Sequence, residues 1–318
     1  VKDFNPNYKL RGIFLLFAIF ILFVSGSFSQ SYLVHHYTET NGLPSSTVYD
    51  ITQDDSGRIW FATRSGIAAY DGVLWNYYTI EHGLPVLSFL KIRYCSSGKI
   101  FALSHTSRWN ISVVYFEQGL WKKIPFDKID NDEELNISAF DVADNGSQCN
   151  LAVGTRNLGL FIWNGERWDH FTDQNGLPSN CVNGIALEDE RFYIATNKGL
   201  SVIQNNHLDN GLNKLFKFPS SDLKGICLED SKRFPSEDLK ASKVWIHGGH
   251  WLGYFIEKMF VVTHRFPPDF KSQYYIMSPD YMGGLFWTDK KELFYMNYSD
   301  GIVTKLGLEN NLLGNAAY

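Results

Sequence analysis

Four cysteines, nine histidines and a scatter of adjacent carboxylates are the residues of this 318-residue chain whose types could do chemistry. Their spacing restricts what that chemistry could be. His247-Gly248-Gly249-His250 sets two imidazoles three residues apart, but at a hairpin turn and with no third ligand nearby in sequence, so the pattern falls short of a zinc site. Asp141-Val142-Ala143-Asp144-Asn145-Gly146 resembles part of a calcium loop without its closing Glu and reads as an Asp-Asn-Gly turn. Glu188-Asp189 and Glu229-Asp230 fall at the same place in successive repeats, which makes them repeat features rather than a glycosidase pair. No HExxH, GxSxG, GxGxxG or P-loop pattern occurs, so zinc protease, α/β-hydrolase, dinucleotide and nucleotide chemistry lose their usual sequence support. No catalytic residue and no cofactor is expected. Cys95, Cys149, Cys181 and Cys227 allow three pairings, form no CxxC and read as small buried hydrophobes, with disulfides left open.

Basic side chains at equivalent turns are the remaining pattern. Arg64, Arg156, Asn197-Lys198, His250-Trp251 and Lys290-Lys291 occupy corresponding links, with Arg108 in a longer version of the same link. The chain as a whole is acidic, with a net charge of −5. Cations gathered on one face of an acidic protein suit an anionic ligand, such as an oligosaccharide bearing uronic acids, held by charge-assisted hydrogen bonds and stacked on aromatic faces. Arg64, Arg108, Arg156, Lys198, His250, Trp251 and Lys290 are therefore the candidate ligand-binding residues. The plainer alternative is that any polar residue suits a solvated turn of the form T-x-x-G-L. Nucleic acid is a poor partner for so acidic a chain.

The elements that must carry these turns are short. Residues 41–79 hold four apolar or alternating runs, Thr47–Thr52, Arg58–Thr63, Ile67–Tyr70 and Leu74–Tyr78, separated by Asp54-Asp55-Ser56-Gly57, Arg64-Ser65-Gly66 and Asp71-Gly72. Such runs are too short for helices and suit a four-stranded antiparallel meander. The unit recurs: the slot of Asp50 is taken by Lys91, Asp141, Gly184, Gly225 and Tyr275, at steps of 41, 50, 43, 41 and 50 residues. The expected fold is all-β, a β-propeller with blades near residues 45–79, 86–124, 136–172, 179–218, 221–266 and 271–306. Trp60, Trp75, Trp163, Trp168, Trp245 and Trp287 should lie mostly between blades. In an antiparallel blade the link into the first strand and the link from second to third strand emerge on one side, so the basic turns should share a face.

GLPSSTVYDITQDDSGRIWFAT followed by SGIAAYDG and a Trp, restarted at QNGLPSNCVNGIALED, resembles the two-component regulator propeller repeat. The resemblance runs from about Tyr32 to Tyr318, closest in the first and fourth repeats. It departs where Asn136 replaces the Pro of the first repeat, and where the second-turn Gly is displaced in the second and sixth. It implies the periplasmic sensor region of a membrane-bound signalling protein, a histidine kinase or hybrid regulator of Bacteroidetes-type bacteria. Such a region would bind an oligosaccharide or other extracellular ligand, pass a change to signalling domains C-terminal to it, and pair with a second copy. On this reading the chain shown is not an enzyme. The alternative is an exported propeller enzyme acting on polysaccharide, a lyase or hydrolase, since fold alone does not settle function.

The flanks complete the expectation. Lys9 and Arg11 precede twelve apolar residues, 13–24, and then Ser25 to Gln30; this reads as a signal peptide over residues 1–29, with the propeller from residue 30. Export to the periplasm follows from that reading, and loss of Lys2, Asp3, Lys9 and Arg11 with the leader takes the net charge to −7. SYLVHHYT, residues 31–38, reads as an outer fourth strand without a blade of its own. Residues 309–318 align with Thr40 to Tyr49 as the opening of another blade. Six blades, an unaccompanied outer strand and the start of a seventh make a seven-bladed ring the natural count, its closing blade truncated here. Insertions over residues 104–112, 127–134 and 231–242 are polar loops.

Overall fold

The alternation of apolar runs and Gly/Asp turns folds as six four-stranded meanders in the computed structural model, which describes residues 35–107, 110–126, 135–144, 148–188, 190–205, 207–229, 242–256, 259–266, 277–280, 284–289, 292–297 and 303–306. All 24 strands of the described residues belong to one compact unit, His36–Leu306. Blade 1 is β1 (Val48–Gln53), β2 (Ile59–Thr63), β3 (Gly66–Tyr70) and β4 (Trp75–Tyr78). Blade 2 is β5 (Lys91–Cys95), β6 (Lys99–Ser107), β7 (Asn110–Glu117) and β8 (Leu120–Ile124); blade 3 is β9 (Ile137–Asp144), β10 (Cys149–Thr155), β11 (Leu160–Trp163) and β12 (Trp168–Phe171). Blade 4 is β13 (Val182–Glu188), β14 (Arg191–Thr196), β15 (Gly199–Gln204) and β16 (His207–Asp209); blade 5 is β17 (Leu223–Glu229), β18 (Lys243–Gly248), β19 (Trp251–Ile256) and β20 (Met259–Arg265). Blade 6 is β21 (Met277–Asp280), β22 (Gly284–Asp289), β23 (Glu292–Asn297) and β24 (Val303–Leu306). Every pairing within a blade is antiparallel and between consecutive strands, and first strands of successive blades lie side by side.

The expected blades are thus present, with one correction. The expected blade 4 runs to residue 218, where the apolar stretch 215–218 would be its fourth strand, but His207–Asp209 pairs with Val202–Gln204 directly after the turn. A short helix, α1 (Gly211–Leu215), then follows, and Asn213 at its centre exchanges hydrogen bonds with the Leu200 backbone. The turn closes so early that the strand forms before the apolar residues arrive. Those residues, Phe216 and Phe218, pack on Phe255, Phe260 and Trp251 of blade 5 instead.

The core sits between blades. Trp60 is buried among Leu84, Phe89, Ile92 and Trp121, joining blades 1 and 2, while Trp168 lies with blade 2 residues and donates its indole N–H to the Pro125 carbonyl at 2.8 Å. Trp245 lies in the cluster shared by blades 5 and 6. Trp75 and Trp163 are half-buried, and the side chain of Trp287 lies outside the described residues. Each buried Trp on a second strand has a carboxylate to satisfy it. Asp54 accepts from the Trp60 indole at 2.8 Å and from Arg58 at 3.0 Å; Glu229 accepts from Trp245 at 2.7 Å beside Lys243 at 3.5 Å. The Glu229-Asp230 motif is therefore explained at Glu229 by packing, as a buried indole N–H needs an acceptor; Asp189 and Asp230 lie outside the described residues.

Inner strands pose a different problem, because each turns an unpaired edge toward the axis. Neighbouring blades satisfy part of it. The Ile92 N–H donates to Asp50 at 3.1 Å and the Tyr94 N–H to Thr52 at 3.2 Å, so blade 1 covers the edge of β5. Register shifts near the start of β1, β9, β13 and β17 push out one residue each: Tyr49, Ser138, Asn183 and Lys224. A bulge re-aims the extra side chain. Ser138 Oγ donates to the Val182 carbonyl, and Asn183 Nδ2 donates to the Leu223 carbonyl at 2.7 Å. Gly184, in the slot after one such bulge, is required by closeness: a Cβ there would lie 3.0 Å from the Ile226 backbone nitrogen.

The cysteines correct the sequence reading. Cys95 and Cys149 form a disulfide between the end of β5 and the start of β10, joining blades 2 and 3, while Cys181 and Cys227 are free thiols. Burial pushes the Cys227 thiol far up, with the Glu229 and Asp141 charges adding to the effect, so it stays protonated.

Candidate functional site

Two recurrent turns build the face that carries the basic residues. The first is T-x-x-[NH]-G-L. Thr38, Thr79 and Thr172 each precede one 3-10 turn, at Glu39–Asn41, Ile80–His82 and Asp173–Asn175. The third residue of the turn caps the Thr backbone N–H, from Asn41 Oδ1 at 3.0 Å, His82 Nδ1 at 3.2 Å and Asn175 Oδ1 at 2.6 Å. Gly42, Gly83 and Gly176 then take φ of +113°, +88° and +119°, and Leu43, Leu84 and Leu177 turn inward to be buried. The second turn, T-x-x-G in blades 1 and 4 and one residue longer in blade 3, ends the second strand. Buried Thr63, Thr155 and Thr196 donate their hydroxyls to the carbonyls of Gly66, Gly159 and Gly199 at 2.7–2.9 Å.

The second turn is tied to the end of the link that enters its own first strand. The Arg64 N–H donates to the Thr47 carbonyl at 3.1 Å, Arg156 to Asn136 at 2.8 Å and Asn197 to Cys181 at 3.3 Å. Their backbones are thereby fixed, and the side chains that follow are left on the outside. Arg64, Arg156, Lys198 and His250 are all exposed at second turns, in blades 1, 3, 4 and 5. Arg156 reaches the bulge of the next blade, donating to Asn183 Oδ1 at 3.3 Å.

Trp251 does not belong with them. It begins β19, is 2% exposed, and packs on Phe218, in the link between blades 4 and 5, and on Phe260. The turn has the same two residues as in blades 1 and 4, so Trp251 takes the buried strand slot held there by Gly66 and Gly199. Arg108 and Lys290 lie outside the described residues. Of the metal motifs, His247 is buried against Gly225 with its pKa pushed down to about 3 by burial and by Lys224, whereas His250 is exposed. Among the described residues no group of three or more His, Cys, Asp or Glu side chains could hold a metal ion.

At the axis, the first strands of blades 1, 2 and 3 meet in a constellation that sequence reasoning missed. Arg93 on β5 stands 2.5 Å from Asp50 on β1 and 3.5 Å from Asp141 on β9. Asp50 and Asp141 occupy the very slot used to count the repeats, which is the signal that marked them. These side chains keep 17–30% of their surface exposed, so the clasp is deep in the ring but within reach of water. Burial pushes the Asp141 carboxyl up to about 6 despite the Arg93 charge and the N–H groups of Val142 and Leu187. For Arg93 burial works against the charge, yet Asp50 and Asp141 carry its pKa above the usual guanidinium value.

Six antiparallel four-stranded blades with adjoining inner strands define a β-propeller. Residues 42–65 match the family model of the two component regulator propeller, and the chain carries that repeat. No curated protein matches. Among solved structures, the chain is similar to the extracellular domain of BT3049, described as a hybrid two component system of B. thetaiotaomicron (20% identity, TM-score 0.57, 85% of this chain and 35% of that one). It is also similar to the extracellular domain of BT4673, described in the same terms and from the same bacterium (18% identity, TM-score 0.55, 81% and 32%). A third is PorZ, a surface component of the type-IX secretion system of Porphyromonas gingivalis (10% identity, TM-score 0.55, 82% and 33%). At these identities the likeness is one of fold, and the chain spans about a third of the length of these proteins.

Proposed function

We propose that this chain is the ligand-sensing propeller of an exported two-component signalling protein, a sensor histidine kinase or hybrid regulator, and that it recognises an acidic oligosaccharide or another anionic extracellular cue. The observation that carries the reading is the set of exposed cations at equivalent second turns, Arg64, Arg156 and Lys198, with the exposed imidazole of His250 at the same turn of blade 5, on an acidic chain. Potentials from cations on one face add, while the acidic remainder repels the same ligand. The repeat at residues 42–65 and the company of extracellular two-component domains support the signalling role. The Cys95–Cys149 disulfide supports an oxidising compartment, and with it the leader reading of residues 1–29 and a periplasmic location. The sensor passes its response to signalling domains C-terminal to the propeller and works with a second copy.

The same reading takes the ring to have seven blades. Ile51 is 57% exposed on the face of blade 1 away from blade 2, whereas residues in its slot, Ile92, Val142, Ile185 and Ile226, are 0–9% exposed because a preceding blade covers them. A further blade is the chemically matching cover for that face.

Sensing and catalysis separate in one experiment. The protein is incubated with acidic polysaccharides, and both binding and new reducing ends or unsaturated uronates are measured. Binding without turnover is the expected result; release of product would replace the sensor with a propeller enzyme.

A further inference from the structure

We propose that the Asp50–Arg93–Asp141 clasp is an acid-sensitive coupling between blades 2 and 3, in which protonation of Asp141 releases Arg93 from blade 3 while leaving it on Asp50 of blade 1. The geometry supports this order of events. Arg93 is closer to Asp50, at 2.5 Å, than to Asp141, at 3.5 Å, and Asp50 is further engaged by the Ile92 N–H. Asp141 therefore holds the weaker arm of the clasp.

The groups facing Asp141 come from several elements. From β5 there is Arg93, with Lys91 two residues before it on the same strand; from β1, the Asp50 charge disfavours a second carboxylate. From β13, the Leu187 N–H favours the Asp141 charge, and its own neighbour Val142 donates to it at 3.0 Å. From β17, the Cys227 thiol is near enough to respond to its charge. Desolvation dominates this balance and places the titration in the mildly acidic range.

Opening at this point does not unfold the ring. Two residues along β5 from Arg93, Cys95 is bonded to Cys149 of blade 3, so the same two blades stay joined when the ionic arm lets go. A covalent tie beside a titrating one makes a hinge: blades 2 and 3 gain freedom around the disulfide, not separation. The folded Asp141 pKa lies above its ordinary value, so between about pH 4 and 6 the folded state binds more protons than the unfolded state, and neutralising this group stabilises the fold as it opens the clasp.

The test is hydrogen exchange of the intact, oxidised chain at pH 7.5 and pH 5.0, corrected for intrinsic exchange, with peptides covering β5, β9 and β13. In the wild type, exchange in β5 and β9 rises several-fold at pH 5.0, where a group of pKa about 6 is roughly nine-tenths protonated, while blades 4 and 5 are unchanged. Asp141→Asn shows the faster exchange already at pH 7.5 and loses its pH dependence. A second measurement guards against a variant that folds poorly: the Asp141 side-chain carboxyl carbon of the wild type, followed by NMR, titrates near pH 6. Equal exchange in the wild type at both pH values, a pH response retained by Asp141→Asn, or a carboxyl that titrates below pH 4.5 would each overturn the proposal.

Discussion

The ring of Tyr37 stands nearly edge-on to Trp75, with centroids 5.7 Å apart and planes at 73°. Tyr78 meets Trp121 of blade 2 in the same way at 6.1 Å and 77°, and Phe126 meets Trp168 of blade 3 at 4.7 Å and 78°. Trp75, Trp121 and Trp168 all begin or nearly begin a fourth strand, and each receives an aromatic from the segment before its blade. Tyr37 thus treats blade 1 as the end of a preceding blade would. His35 to Thr38 are nevertheless not in a strand, and residues 31–34 lie outside the described residues.

That relationship predicts equivalent roles for Tyr37 and Tyr78. Tyr37→Ala should lower stability by roughly 1–2 kcal/mol, the worth of an aromatic pair plus part of its buried area, and Tyr37→Phe should recover most of the loss. Urea unfolding of the two variants checks this.

Trp60 gives a larger effect. Its ring fills the space between blades 1 and 2, so Trp60→Ala should cost roughly 3–5 kcal/mol in the same assay. Trp60→Phe should keep much of the packing but leave Asp54 short of one donor, costing about 1–3 kcal/mol.

Asp54 also sets an acid limit. Burial disfavours its charge, but hydrogen bonds from Ser56, Trp60 and Arg58 outweigh that and hold the carboxyl below its ordinary value. A depressed folded pKa stabilises the fold above the unfolded value near 3.8, and the contribution is lost as pH falls through the folded value. Asp54→Asn should therefore be less stable than wild type at pH 7, with the difference shrinking below pH 4.

Between pH 4 and 6.5 two buried groups oppose one another. His247 is kept neutral with a pKa near 3, so the unfolded state takes up a proton first and stability falls as pH drops below about 6.5. Asp141 acts in the other direction below about 6. Asp141→Asn should make the acid-side decline of stability steeper, by up to about 1.4 kcal/mol per pH unit, in a pH series of urea midpoints.

How legible these features were depended on whether they repeat. The blades and the turns between their strands are local patterns written several times, so the periodicity of apolar runs and the Gly and Asp punctuation located them, although the sequence did not reveal that Asp54 of one such turn serves the Trp60 indole. The fourth strand of blade 4 was misplaced because His207–Asp209 offers little apolar alternation, and pairing there follows from the turn alone. The Cys95–Cys149 bridge and the Arg93 clasp were missed for a different reason. They join residues 43 to 54 apart on neighbouring blades, and only the stacking of one blade on the next brings them together. Trp251 was misjudged by a single position, which on a strand is the difference between core and solvent.

Reduction offers an independent check on the blade 2–3 interface. Closing a loop of 54 residues restricts the unfolded chain, so Cys95→Ser with Cys149→Ser should lower stability by up to about 4 kcal/mol, and a reducing agent should do the same to wild type.

Titration calorimetry tests most directly whether the second-turn basic residues receive an anionic ligand. Wild type and the Arg64→Ala/Arg156→Ala double variant are titrated with acidic and neutral oligosaccharides of equal length, at low and at high salt. The acidic glycan should bind wild type more tightly than the neutral one, weaken as salt screens the attraction, and lose affinity in the double variant. A neutral sugar that binds best, or a double variant that binds as well as wild type, would contradict the account.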